Sequence, residues 1–183
     1  MPMIDAYIPE GALKTDAEER LLKELTDILI THEGFDPANQ RAQNVSVIFL
    51  HRPARLFVAG APSKLPRYRI VPMVPEGQYS DESRKALVKD VAEAVARAEG
   101  GSPEEAGPRV WVFPTEMPNG LWGSRGAIQS LPDILAFIVG EHERPAAEAK
   151  LADRRRSNGL AVLEAALDAV RGGVGKARAD QAS

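Results

Sequence analysis

The 183-residue chain has no cysteine, few aromatic residues (5%) and little excess charge, with a formal net charge of −3. Without cysteine the protein cannot form disulfides, use a thiol nucleophile or bind zinc through thiolates. The mildly acidic balance gives no basis for nucleic-acid binding, which favours strongly basic surfaces. The three histidines, His32, His51 and His142, lack metal-ligand spacing, so no metal site is predicted.

Long apolar runs are also missing. The longest, residues 134–139, is far below the roughly 20 residues that a membrane-spanning helix needs. The first residues show no basic region followed by an apolar core, so no signal peptide is recognised. We therefore expect a cytoplasmic protein that has neither a membrane nor a nucleic-acid partner.

The first part of the chain predicts a β-α-β arrangement. Its elements are a strand at 3–8, a break at Pro9-Glu10-Gly11, a helix to Gly34, a loop at 35–43, a strand at 45–50, a turn at 52–55 and a return strand at 56–58. Thr15 and Glu18 have the spacing of a capping box at the start of the helix. The helix places its leucines and isoleucines on one stripe, which predicts a single buried face.

The same order of elements then recurs. A short apolar run at 70–74, a helix that begins at Ser80-Asp81, a strand at 110–113 and a turn at 118–120 follow one another. Ile8-Pro-Glu-Gly11 matches Val74-Pro-Glu-Gly77 at an offset of 66, and Val45-Ser-Val47 matches Val110-Trp-Val112 at an offset of 65. These matches, in the same order, predict an internal duplication.

The predicted fold is therefore α/β, with fused β-α-β units at 2–62 and 66–131 forming one domain over 2–131. Parallel strands joined by a helix form right-handed crossovers, and two such units can share one four-stranded sheet with both helices on one face. The other face would remain partly bare, which predicts oligomerisation. Residues 132–183 form a helical C-terminal extension, with a short helix to Val139 and a long helix over 145–170 that Gly172-Gly173 closes.

Pro2 is the residue that carries chemistry. Removal of Met1 is favoured before a small residue, and it would leave Pro2 with a free secondary amine. Terminal amines titrate near pH 8, and modest desolvation would bring this one close to neutrality. A base of that strength suits proton abstraction next to a carbonyl. The strand directly after Pro2 would hold the amine at the end of a sheet.

With these features the chain resembles the tautomerase superfamily, whose members share an amino-terminal proline and a β-α-β building block. The resemblance lies in residues 2–11 and 112–123 and in the fused length of the two units. It implies a homotrimer and a cofactor-independent isomerase. In such an enzyme Pro2 would be the general base on a small 2-hydroxy-dienoate or 2-oxo acid.

The chain departs from the family at its substrate-binding positions. The arginines of the small tautomerases fall on Ala12 and Gln78 and on Ser46 and Trp111, and those of the dehalogenases fall on Pro75 and Gln78. The dehalogenase glutamate falls near Ser124 and its tyrosine on Phe113, while His32 is a match for its helix-end histidine only if the first helix is about one turn longer. Hydration chemistry is therefore disfavoured.

Strand alternation supplies replacement candidates. It places Arg109, Trp111 and Phe113 on the sheet face that faces away from the helices. There Arg109 could bind a carboxylate in a bidentate contact, with Arg125 as a second anchor. Further candidates are Trp111 and Trp122, which would exclude water, and Gln78 and His32. Alternatively, both arginines are surface charges between subunits and Trp111 lies in an oligomer core.

Two other functions remain open at this stage. In one, the protein is a decarboxylase or a hydratase/dehalogenase of small three-carbon acids, and Pro2 is protonated and acts as an acid. In the other, the fold is kept in a non-catalytic trimeric protein that binds small molecules, as the missing arginines would allow.

Overall fold

The computed structural model describes residues 3–180, with side chains described as far as residue 171. The strands are β1 (Met3–Tyr7), β2 (Val47–His51), β3 (Phe57–Val58), β4 (Ala61–Pro62), β5 (Tyr68–Pro75), β6 (Val110–Val112), β7 (Thr115–Met117), β8 (Gly123–Ser124) and β9 (Ala127–Ile128). The helices are α1 (Thr15–His32), α2 (Gln40–Val45), α3 (Asp81–Glu99), α4 (Pro103–Ala106), α5 (Leu131–Ile138) and α6 (Arg144–Asp180).

The main sheet has the order β2-β1-β5-β6, and β7 also pairs with β5. Within each unit the two strands are parallel, and the units meet through the antiparallel pair of β1 and β5, in which Met3 lies opposite Met73. The α/β fold with fused β-α-β units is thus confirmed. The sheet has five strands because the chain leaves the ladder after Val112 and rejoins β5 further along as β7.

Helices α1 and α3 cover the same face of this sheet. The core between them combines alternate residues of the two central strands, such as Ile4, Ala6 and Ile70, with the apolar stripes of α1 and α3. Alternation along a strand sends every second side chain to the same face. The intervening residues of β2 and β6 therefore face away from the helices.

That second face is open, as predicted, and carries several exposed apolar side chains. Val47, Phe49, Trp111 and Phe113 are each 44–51% exposed. Contiguous exposed apolar side chains on a soluble protein mark a contact surface.

The duplication is visible in the backbone. Gly34 and Gly100 follow α1 and α3 at the offset of 66, and both adopt a left-handed φ (85° and 75°) that suits glycine. The offset of 65 between the second strands is wrong. Val47 lies opposite Met3, and Trp111 lies opposite Arg69. Because Met3 and Arg69 are equivalent at the offset of 66, Val47 corresponds to Trp111, and the structural offset of the second strands is 64.

Several local predictions need correction. Thr15 is the first residue of α1, and its N-cap, Lys14, makes no side-chain cap, so the capping box there is wrong. The loop at 35–43 contains the start of α2, capped by the Asn39 side chain, and this helix delays the next strand to Val47. By contrast, Ser80 caps α3 in a capping box with Ser83.

The C-terminal extension is more helical than predicted. Ser130 and Asp133 form a capping box at the start of α5, and α6 continues through Gly159 and past Gly172-Gly173 to Asp180. A glycine inside a helix costs about 1 kcal/mol relative to alanine, which a long helix tolerates. The first turns of α6 pack on the domain through Ala147 and Leu151, which are buried. Among residues 3–180, no helix has the length and apolar character required to cross a membrane.

Candidate active site at the start of the first strand

Three parts of the chain converge where β1 begins. Because β1 and β5 are antiparallel, the end of β5 and the turn after it lie beside Met3. The end of α1 reaches the same place, since Met3 and Phe35 pack against one apolar cluster that includes Ile30. Pro2 lies outside the described residues, and it is bonded to Met3, with adjacent Cα atoms about 3.8 Å apart.

An apolar cavity of about 480 Å³ opens at Met3. Its walls include Val47, Met117, Trp122 and Arg125. Trp122 is buried in the apolar cluster beneath this cavity. The structure thus brings two of the predicted residues, Trp122 and Arg125, to the start of β1.

Arg125 is held by the small hairpin of β8 and β9. Its backbone is left-handed (φ 54°), and its guanidinium carbon lies 4.2 Å from the centroid of the Phe137 ring. This cation–π contact stabilises the side chain without neutralising it. In the described part of the chain Arg125 forms no ion pair, so its charge is available to a ligand.

A second cavity, the polar cavity, has a volume of about 450 Å³ and mostly polar or charged residues in its walls. It lies between the end of α1, the turn after β5 and the first half of α6. Its walls include His32, Glu33, Gln78, Tyr79 and Lys150. Gln78 is the predicted residue at its centre: the side chain is buried, and Nε2 donates a hydrogen bond to the backbone oxygen of Glu33.

Glu33 has the most perturbed carboxyl of this cavity. It is 6% exposed, and burial raises its pKa to about 7 against the weaker effect of nearby positive charge, including Lys150. Burial also lowers the pKa of Lys150, whose Nζ donates to the backbone oxygen of Gln78 at 3.2 Å. A carboxyl that titrates near neutrality can both donate and accept a proton under ordinary conditions.

His32 lies at the rim of the polar cavity, at the last turn of α1. Its Nε2 lies 2.7 Å from Oδ2 of Asp90 on α3, so the imidazole links the two helices. A role for His32 in substrate binding stays a prediction.

The predicted placement of Arg109 is wrong. A 3-10 turn over Gly107–Arg109 precedes β6, so the strand alternation does not extend to this residue. Its Nη1 and Nη2 donate to the carboxylate of Glu99 at 2.7 and 2.5 Å, and Nη1 also donates to the backbone oxygen of Pro66. The guanidinium is thereby engaged away from the Trp111 face, which disfavours Arg109 as a carboxylate anchor.

Trp111 and Phe113 lie on the open sheet face, as predicted, and line neither of these two cavities. Trp111 lines a separate apolar cavity of about 510 Å³. Arg67 lies over the Trp111 ring, with its guanidinium carbon 5.4 Å from the centroid, and Arg69 lies over Phe113 at 5.5 Å. The expected pairing of Trp111 with Trp122 around one substrate is therefore not present within one chain.

Sequence reasoning missed Glu33, Tyr79 and Lys150. A signal for Glu33 existed, since Glu33-Gly34 repeats as Glu99-Gly100 at the offset of 66. No local pattern could have connected Lys150 to a turn more than seventy residues earlier. No group of side chains suited to a metal ion occurs in the part of the chain that the structure describes.

The fold is that of the tautomerase superfamily. One similar structure, the asymmetric trimer of wild-type fused 4-OT, has 19% sequence identity and a TM-score of 0.55, covering 69% of this chain and 94% of that one. Pt0534 inactivated by 2-oxo-3-pentynoate has 21% identity and a TM-score of 0.56, covering 70% and 96%. N1, a member of the cis-3-chloroacrylic acid dehalogenase family, has 14% identity and a TM-score of 0.58, covering 84% and 99%.

At these identities the structural likeness concerns the fold. No protein-family model and no curated protein matches the sequence. Any statement about chemistry must therefore come from the residues of the two cavities.

Proposed function

We propose that the protein is a cofactor-independent tautomerase, in which the free amine of Pro2 is the general base on a small 2-hydroxy-dienoate or 2-oxo acid. The observation that carries this proposal is the apolar cavity that opens at Met3, the residue that follows Pro2 in the chain. A neutral secondary amine at this end can take the proton from the 2-hydroxyl oxygen and return it to carbon.

The surroundings support such a base. The apolar walls of the first cavity, Trp122 among them, favour the uncharged form of an amine by desolvation. Arg125 gives this cavity a positive charge that would attract the acid through a charge-assisted contact. The low local dielectric strengthens that contact relative to water.

We also propose that the chain assembles as a homotrimer. Fused 4-OT is described as a symmetric and as an asymmetric trimer. The open sheet face of this chain, with Phe49 and Phe113 about half exposed, offers an apolar surface for such contacts. Sedimentation velocity of the full chain measures the assembly directly.

Turnover by a Pro2→Ala variant tests the catalytic proposal. With phenylpyruvate or 2-hydroxymuconate as substrate, we expect the variant to lose most of the wild-type kcat/KM, because a primary amine replaces the secondary amine and its ring. A variant that retains wild-type turnover would reject Pro2 as the base. Circular dichroism of both proteins controls for folding.

A decarboxylase or hydratase is the alternative, favoured by the extent of the match to N1 (84% of this chain). In that reaction Pro2 would be protonated, and activity would fall as the pH rises through the pKa of the amine. A tautomerase that uses neutral Pro2 shows the opposite pH dependence, because its activity falls as the pH drops and the amine becomes protonated. The pH dependence of kcat/KM thus separates the two.

A further inference from the structure

The polar cavity contains buried atoms that need hydrogen-bond partners. Oε2 of Glu33, Oε1 of Gln78 and the hydroxyl of Tyr79 are buried and form no hydrogen bond with the described residues. All three residues line this one cavity, and each is at least nine-tenths buried. Unsatisfied buried polar groups cost free energy, and their concentration at one place points to a ligand that supplies the missing partners.

The first half of α6 closes this cavity and brings a cation to it. Lys150 contacts only a backbone oxygen, and no carboxylate pairs with it among the described residues. The other charged groups at the cavity are engaged: His32 with Asp90, Asp153 with Arg156, and Arg154 with Glu116 and the backbone oxygen of Tyr79. Lys150 is therefore the cation that remains for a bound anion.

These groups define the chemistry of the ligand. An ammonium and a tyrosine hydroxyl donate hydrogen bonds and suit a carboxylate. The amide oxygen of Gln78 only accepts, so it needs a donor such as a hydroxyl group. The cavity therefore fits a small acid that carries a hydroxyl beside its carboxylate.

The internal repeat connects this cavity with Pro2. At the offset of 66, position 2 corresponds to Tyr68 and Glu33 corresponds to Glu99. In the second unit the Tyr68 hydroxyl donates to Oε1 of Glu99 at 2.7 Å. The repeat therefore pairs position 2 with Glu33 in the first unit as it pairs Tyr68 with Glu99 in the second.

We propose that α6 completes the active site, with Lys150 binding the carboxylate of a small hydroxy acid. Gln78 accepts the hydrogen bond of the hydroxyl, and Tyr79 and Glu33 contact the carboxylate. This proposal rests on the proposed function only in treating the polar cavity as part of the active site, since binding of the acid does not require turnover.

Calorimetric titration of the full-length protein with mandelate and with phenylacetate tests this site. The two acids differ only by the hydroxyl, and we expect mandelate to bind about threefold to tenfold more tightly. Lys150→Met keeps the apolar stem but removes the charge, and it should weaken both acids by about tenfold or more. Gln78→Met should abolish the preference for mandelate.

Lys89→Met is the matched control, because Lys89 lies on the exposed side of α3 and pairs only loosely with Glu93 at 3.8 Å. Its affinity for both acids should equal that of the wild type. Absence of mandelate binding to the wild type, or unchanged binding by the folded Lys150→Met variant, would overturn the proposal.

The pH dependence of mandelate binding gives a second readout. Above about pH 7 the Glu33 carboxylate carries a charge that repels the ligand, although Lys150, Arg154 and His32 face the same cavity and Asp153 lies at its edge. Affinity should therefore fall as the pH rises through 7, and Glu33→Gln should flatten this dependence. Equal pH profiles for the two proteins would contradict the assigned role of Glu33.

The experiments distinguish failure of the tautomerase proposal from failure of the proposed role of α6. Pro2→Ala should lose turnover and still bind mandelate. If wild-type turnover is absent while binding depends on Lys150, only the tautomerase proposal fails. If Pro2→Ala abolishes turnover while Lys150→Met binds normally, only the proposed role of α6 fails.

Discussion

Glu33 and Glu99 occupy the same position in the two β-α-β units, each directly before the left-handed glycine that follows a long helix. Their surroundings are opposite. Glu99 accepts hydrogen bonds from Arg109 and Tyr68, and these contacts lower its pKa. Glu33 is buried without a charged partner at ion-pair distance among the described residues, and burial raises its pKa.

The difference shows that the two copies of the unit give the same residue opposite environments. In the second unit an arginine and a tyrosine from the same unit neutralise the carboxyl and fix the end of the helix. In the first unit Glu33 lies instead with the turn after β5 and the first half of α6, and the carboxyl stays able to exchange a proton. One candidate site per chain follows from this asymmetry.

The largest expected effect on stability follows from removing Arg109, the ion-pair partner of Glu99. Arg109→Ala leaves a nearly buried carboxylate uncompensated, because the two side chains are only 14% and 11% exposed. Breaking such a pair costs about 3–5 kcal/mol in the free energy of unfolding. Urea denaturation measures this change, with Arg20→Ala as the control, since Arg20 and Asp16 form a solvent-exposed pair that contributes little to stability. Equal losses in the two variants would contradict the structural role of Arg109.

Substitution of Glu33 should have the opposite effect on the free energy of unfolding, which it should increase. The folded state binds the Glu33 proton more tightly than the unfolded state, so stability falls as the pH rises from about 4.5 to about 7. Glu33→Gln removes this penalty and should stabilise the protein by about 3 kcal/mol at pH 8 and by much less at pH 4.5.

The matched variant is Glu99→Gln, which should destabilise the protein at pH 8. The lowered pKa of Glu99 means that its contribution is present above the unfolded pKa and is lost as the pH falls through the folded one. Thermal unfolding of the wild type and both variants from about pH 3 to about pH 8 measures the two slopes. Slopes of the same sign would show that the two positions do not differ as described.

The smallest effect concerns the two glycines themselves. Gly34 and Gly100 share a left-handed φ, and a Cβ at either would meet no atom within 4 Å. Gly34→Ala and Gly100→Ala should each cost about 1–2 kcal/mol, because only backbone strain is added. A much larger cost at one position would show that the helix ends are not equivalent.

Much of the fold could be predicted because its signals are local. The repeated Pro-Glu-Gly break, the helix stripes and the alternation in β1 and β6 depend on neighbouring residues. Arg109 was misplaced because a 3-10 turn interrupts the alternation just before β6. The environment of Glu33 could not be predicted, since it depends on α6, which returns to the domain from more than a hundred residues away.

The central claim is that Pro2 has a free, reactive amine next to an acid-binding cavity, and intact-mass spectrometry tests it most directly. After treatment with 2-oxo-3-pentynoate, which inactivates the similar protein Pt0534, the amine should add across the alkyne without losing any atoms. We predict a chain without Met1 that carries one reagent mass, which peptide mapping assigns to Pro2. A chain that retains Met1, or one whose Pro2 stays unlabelled, would contradict the account.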